Sequence, residues 1–152
     1  MANFNIMGVN VDGVRGKLTS LRTVIHELKP QVLFLQETKL NTKGILKIKG
    51  FQILEKNRPT NKKGGGIALA FSNVLDPMLV SEGPEDIEIM SAIAKVGKSM
   101  IRFCVGYGPQ ESDSKETKEK FWAFIDNDFK EAKKTNNYFA FKWTRMPGGV
   151  LI

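Results

Sequence analysis

The sequence predicts an α/β layered domain, and three observations carry that prediction. Short apolar runs of strand length alternate with two long amphipathic stretches of helical spacing. Turn-forming glycine, asparagine and proline fall between them. No internal repeat, low-complexity segment or linker composition divides the chain.

In chain order, Phe4, Ile6 and the apolar residues 7–9 predict a first strand that ends in the turn-prone Asn10-Val11-Asp12-Gly13. Leu18, Leu21, Val24, Ile25 and Leu28 then recur at helical spacing over residues 17–29, and Pro30 stops the pattern. Residues 32–35 form a continuous apolar run, the signature of a strand buried on both faces, and deliver Gln36-Glu37-Thr38 at its carboxyl end. Two strands, 51–54 and 67–71, flank the Gly64-Gly65-Gly66 turn. Two more, 87–96 and 100–105, are joined at Gly97-Lys98. A second helix is predicted over 116–134, with Phe121, Trp122, Phe124, Ile125 and Phe129 as its apolar side, and a strand at 138–141 follows.

At 152 residues and 41% hydrophobic content the chain is long enough for one domain with a real core, and it is too polar throughout for a transmembrane helix. Its amino terminus lacks the basic and long apolar regions of a secretory signal, so an intracellular location, nucleus or cytoplasm, is expected. Cys104, the one cysteine, lies in an apolar run and reads as a buried structural thiol. The formal net charge of +7 favours phosphate-bearing partners without specifying one. Residues 39–63 carry eight lysines and arginines (39, 43, 47, 49, 56, 58, 62, 63) against the single acid Glu55. That strip reads equally as an electropositive surface for nucleic acid or as an ordinary solvated loop.

Asp12 and Glu37 stand just past two predicted strands, where α/β sheets place their sites. Carboxylates suit magnesium, which takes one or two of them together with waters and substrate oxygens, and Asn10 could orient a phosphate or a ligand. From placement alone, a turn aspartate and an exposed strand-end glutamate explain the same residues.

The same residues carry a resemblance. Val9-Asn10-Val11-Asp12-Gly13-Val14-Arg15 resembles the opening motif of the endonuclease/exonuclease/phosphatase family, and Leu35-Gln36-Glu37-Thr38-Lys39 resembles its glutamate motif. Arg58, Gly64-Gly65-Gly66-Ile67-Ala68 and Val105-Gly106-Tyr107-Gly108-Pro109-Gln110-Glu111 are similar to the non-LTR retrotransposon, AP-endonuclease-like branch. The resemblance implies a partial four-layer α/β sandwich of the DNase I-like fold, with a magnesium-dependent site, manganese being possible, that cleaves DNA phosphodiesters. It implies Glu37 as principal metal ligand, Asp12 as a second or water-mediated one, and Asn10 as a hydrogen-bonding catalytic residue. Tyr107 would contact the phosphate, and Lys39, Arg58, Lys62 and Lys63 would face nucleic acid. Gln110 stands where the family often has asparagine.

Two family motifs are not found. The strand after the second helix leads into Lys142-Trp143-Thr144-Arg145, where the family carries Gly-Asp-x-Asn. Asn127-Asp128-Phe129 lies within the helix, and His26, the one histidine, sits on the polar side of the first helix rather than in a Ser-Asp-His motif. The resemblance therefore implies a partial domain over 1–141 with a divergent tail at 142–152, its second half missing. Negligible activity alone is expected, since lost acid/base groups cost orders of magnitude in rate. The missing half would supply most of the second sheet and its covering helix, leaving a sheet face exposed for aggregation or for a covering partner. DNA is the expected partner of an intact parent. A non-catalytic nucleic-acid or protein-binding module is the alternative, and Tyr107 to Glu111 argue against a phospholipid or inositol phosphate substrate.

Overall fold

Two short parallel strands open the computed structural model, which describes residues 4–40, 46–58, 65–145 and 149–151, with side chains described only to Trp143. The chain divides into two compact units, Met1–Asp76 and Pro77–Ile152. The boundary has no linker composition, which is why the sequence reads as undivided.

The first unit holds a four-stranded sheet in the order β1-β2-β4-β3, with β1 at Ile6–Asn10, β2 at Val32–Gln36, β3 at Phe51–Lys56 and β4 at Ile67–Ser72. β1 and β2 run parallel, from Ile6 opposite Val32 to Asn10 opposite Gln36, while β4 is antiparallel to both β2 and β3. The crossover between β1 and β2 is a 3-10 turn, Val14–Lys17, leading into α1, Leu18–Leu28. Lys29 ends α1 in the left-handed region, its N–H donating to Ile25 O at 2.8 Å, and Pro30 forbids continuation. Leu18, Leu21 and Ile25 of α1 pack with Leu33, Leu35, Ala68 and Ala70. Each such aliphatic side chain contributes about 1.5–3 kcal/mol on burial. Every residue of β2 is buried, as its unbroken apolar run requires.

The second unit holds a five-stranded sheet in the order β5-β6-β7-β8-β9. Its strands are β5 Met78–Ser81, β6 Glu88–Val96, β7 Ser99–Tyr107, β8 Tyr138–Arg145 and β9 Gly149–Leu151. β6 and β7 form a hairpin whose turn places Gly97 at φ 61°, and α2, Lys115–Lys134, crosses over to β8, which is parallel to β7. Ser114 caps α2 by accepting from Thr117 N–H at 3.1 Å, Glu116 lies in its first turn, and Lys133 and Lys134 lie in its last, all favourable to the helix dipole. Phe121 is fully buried among Ile87, Ile89, Cys104 and Trp143. A Cβ at Gly106 would come 2.9 Å from the Phe121 ring, so glycine there lets the helix approach the sheet.

Four expectations need correction. The second sheet is not mostly missing: five strands of this chain build it, because the β6–β7 hairpin and the α2 crossover are all local in sequence. Nor is a face of its centre left open, since Arg102 to Tyr107 are all buried. Exposed apolar area lies instead at the edge, where Met78, Leu79 and Val80 of β5 are 60%, 40% and 38% exposed, and on α2. Trp122 and Phe129, read as part of the buried side of α2, are 45% and 49% exposed. Strand pairing also reaches into the segment read as a tail, for Lys142 to Arg145 continue β8 and Gly149 pairs with Arg145.

Candidate functional site

Parallel pairing decides where the first site forms. Because β1 and β2 finish side by side, Asn10 lies opposite Gln36 and both connecting segments leave from one sheet edge. Hydrogen bonds then lace those segments together. Val11 N–H donates to Gln36 O at 2.9 Å, Gly13 N–H to Glu37 O at 2.8 Å and Val14 N–H to Thr38 O at 3.0 Å. On the other side Thr38 N–H donates to Gly66 O at 3.2 Å and Lys39 N–H to Gly65 O at 2.8 Å. Gly65 and Gly66 thus tie the glutamate segment to the edge.

This lacing sustains an unusual backbone. Asp12, Glu37 and Lys39 have φ of 43°, 55° and 52°, and Gly13, Gly65 and Gly66 lie at 91°, 67° and 90°. A left-handed non-glycine residue costs about 1–2 kcal/mol. Lys29 and Asn136 sit at helix ends, where that conformation is expected, but the other three cluster here, and such strain concentrates at functional sites. Gly66 is required on two counts: its φ, and a Cβ that would fall 2.3 Å from Thr38 Oγ1.

The side chains complete the edge. Lys39 Nζ donates to Asp12 Oδ1, and Asn10 Oδ1 accepts from Asp12 N–H at 3.2 Å. The Lys39 hydrogen bond, then its charge, holds the Asp12 carboxyl below the usual carboxylate range, with Lys17 adding to the effect. The hydrogen bond that Lys39 donates to Asp12 raises the lysine in turn, and the charges of Asp12 and Glu37 add to the rise. Glu37 is buried, at 9% exposure. Among the described residues no three His, Cys, Asp or Glu side chains gather as a metal cage. The donor types on these laced segments, two carboxylates and an amide, fit a hard cation that keeps several waters, as magnesium or manganese does, and not a zinc site.

Of the remaining expected site residues, Arg58 is half-buried just past β3, whereas Lys62 and Lys63 lie outside the described residues. Tyr107 closes β7 in the second unit at 4% exposure, in register with Glu88 of β6 and Thr144 of β8. Asp128 is not a displaced catalytic acid. It is a buried structural group, accepting from Arg102 Nη1 at 2.6 Å and Ser91 Oγ at 3.0 Å, its carboxyl raised by burial against those contacts. Burial also pushes the Cys104 thiol well up, as its apolar run suggests, and His26 is exposed on α1. Sequence reasoning passed over Thr38 with Gly66, which the glycine run signals, and Lys142, which nothing in the sequence signals.

No protein-family model matches the sequence, and no curated protein sequence does. Solved structures do match. An AP endonuclease from Archaeoglobus fulgidus is 20% identical with a TM-score of 0.61, covering 93% of this chain and 56% of that one. The 3'-5' exonuclease NExo from Neisseria meningitidis is 18% identical at TM-score 0.67, covering 92% and 57%. The endonuclease domain of TRAS1, a telomere-specific non-LTR retrotransposon, is 10% identical at TM-score 0.60, covering 93% and 58%. The chain therefore has the DNase I-like fold of endonuclease/exonuclease/phosphatase proteins, and it spans under three fifths of these structures' length.

Proposed function

We propose that the edge built by Asn10, Asp12 and Glu37 is the metal-binding part of a phosphodiesterase site of the retrotransposon-endonuclease kind, with DNA as its substrate. The observation that carries this reading is that the segments bearing two strand-end carboxylates and one amide are hydrogen-bonded side by side on a strained sheet edge. Glu37 is the principal ligand, Asp12 the second or water-mediated one, and Asn10 fixes the Asp12 segment through its hydrogen bond. Magnesium, or manganese in its place, would supply positive charge to a phosphate oxygen. Lys39 stabilises the ionised Asp12 carboxyl, Tyr107 contacts phosphate, and Arg58, Lys62 and Lys63 face nucleic acid. A DNA substrate is supported by the nucleases among the structural neighbours and by the net charge of +7. Such a substrate implies the nucleus or cytoplasm; no described helix is long and apolar enough to cross a membrane.

Cleavage by these residues alone is slow in this reading. At the β8 positions facing the end of β7 the chain carries Lys142-Trp143-Thr144-Arg145, and Trp143 is packed against Phe121 at 6.2 Å between ring centroids. No carboxylate stands there to activate water. We infer a partial domain whose last strands, β8 and β9, take in the divergent segment after residue 141. A second reading, a nucleic-acid-binding module without catalysis, is favoured by the basic run from Lys39 to Lys63. Nicking of supercoiled plasmid by the purified chain, with magnesium, without metal and with Glu37→Ala, separates the two. Weak metal-dependent nicking that the variant loses supports the phosphodiesterase; salt-sensitive binding with no nicking at all supports the module and removes the catalytic reading.

A further inference from the structure

Lys142 presents a physical problem that the site above does not solve. It lies in β8 in register with Val105 of β7, and only 9% of it is exposed. Phe141 and Trp143, its neighbours on either side, pack toward Phe121 of α2, so strand alternation turns Lys142 to the opposite face of the sheet. On that face register places Met90 and Val105 in its own row, and Glu88 and Tyr107 in the next. Met90 and Val105 are 1% and 0% exposed, so the lysine stem lies among apolar side chains. The nearest buried carboxylate on these strands' helix side, Asp128, is taken by Arg102 on the other face. Among the described residues no carboxylate pairs with Lys142, and burial is the sole cause that lowers its amine from the ordinary lysine range.

A lysine whose stem is buried and whose amine has no carboxylate partner is placed to take up an anion. Lysine suits such a place because its stem buries while its ammonium stays at the boundary with solvent. Desolvation lowers the amine with no carboxylate to oppose it, and an arriving anion would act in the opposite direction. Position adds a second argument. Lys142 stands one row from Tyr107, at the end of the parallel pair β7 and β8 where their carboxyl ends meet, the place where ligands bind in α/β sheets.

We propose that Lys142 is an anion-binding residue which, beside Tyr107, receives a phosphate oxygen of a nucleic-acid strand. That the anion is a phosphodiester rests on the function proposed above; that the residue awaits an anion rests on its own burial and lack of a partner.

The test is a titration of the whole isotope-labelled chain, without metal, with a thymidine dinucleotide carrying one phosphodiester, followed at the Lys142 ε-carbon signal. The signal should shift and saturate. Lys142→Met should weaken binding about tenfold, about 1.4 kcal/mol, because one charge-assisted contact is lost. Lys142→Arg should lose less, and Lys95→Met, an exposed strand lysine on β6, should change nothing. Since methionine removes the buried charge, Lys142→Met should melt no lower than the parent chain, which separates lost binding from lost fold. An unmoved Lys142 signal, or a Lys142→Met chain that binds as tightly as the parent, overturns the proposal. Glu37→Ala should bind the dinucleotide normally here, so a failure of the metal reading shows up in plasmid nicking and not in this titration.

Discussion

Replacing Gly66 with alanine should be the most costly single-methyl change in the first unit. Two separate strains add. The residue sits at φ 90°, where a side chain costs about 1–2 kcal/mol. The new Cβ would also stand 2.3 Å from Thr38 Oγ1, a clash that a packed site relieves only by moving, at about 1–3 kcal/mol. The sum is about 2–5 kcal/mol. Thr38 makes the two parts separable. Its hydroxyl is buried and has no hydrogen-bond partner, so Thr38→Ala removes the clash without breaking a hydrogen bond. In that background Gly66→Ala should cost only the backbone part, about 1–2 kcal/mol. Gly16→Ala is the control, for nothing lies within 4 Å of its added methyl and its φ is ordinary. Urea unfolding measures all four chains, and amide exchange at Thr38 and Lys39, whose N–H groups donate to Gly66 and Gly65, reports where the damage falls. A loss under about 1 kcal/mol, or an equal loss in both backgrounds, refutes the reasoning.

Arg102→Met should destabilise the second unit by about 3–5 kcal/mol, because it strands the buried Asp128 carboxylate, whereas Arg102→Met with Asp128→Leu should recover most of that loss in urea melts. Equal loss in the single and double variants would show that the pair is not the cause. Asp12 is held below its ordinary value of 3.8 in the folded chain, so its contribution is fully present above that pH and fades as pH falls through the lower folded value. The stability gap between wild type and Asp12→Asn should accordingly close in acid melts below 3.8, and a gap that widens there contradicts the ion pair with Lys39. Phe121→Ala, which empties the contact between α2 and the sheet at Gly106, should cost about 3–5 kcal/mol by thermal melting, and a loss below about 1 kcal/mol would mean that the helix is held elsewhere.

Much of the fold was legible because its central strands are apolar on both faces. The runs at 32–35, 67–71 and 100–105 needed no partner information to read as strands, the first of them as one buried on both faces. β5 escaped because it is an edge strand, with Met78, Leu79 and Val80 facing solvent and no alternation to betray it. β8 was read four residues short, since Lys142, Thr144 and Arg145 look like the start of a polar tail; a lysine that buries its stem in a strand leaves no periodic signal. Asp128 illustrates the same limit in a helix, where the partner that makes its burial tolerable, Arg102, lies 26 residues earlier. In the site, the two acids could be placed from strand ends alone. The left-handed backbone at Glu37 and Lys39 could not, because neither residue type advertises a positive φ; only the adjoining glycines do.

Magnesium titration of the nitrogen-labelled chain, read amide by amide, tests the central claim most directly. The account predicts saturable shifts confined to the Asn10 to Gly13 and Glu37 to Lys39 segments and abolished in Glu37→Ala. Weak shifts scattered over the acidic surface, or the same local shifts persisting in Glu37→Ala, would contradict it.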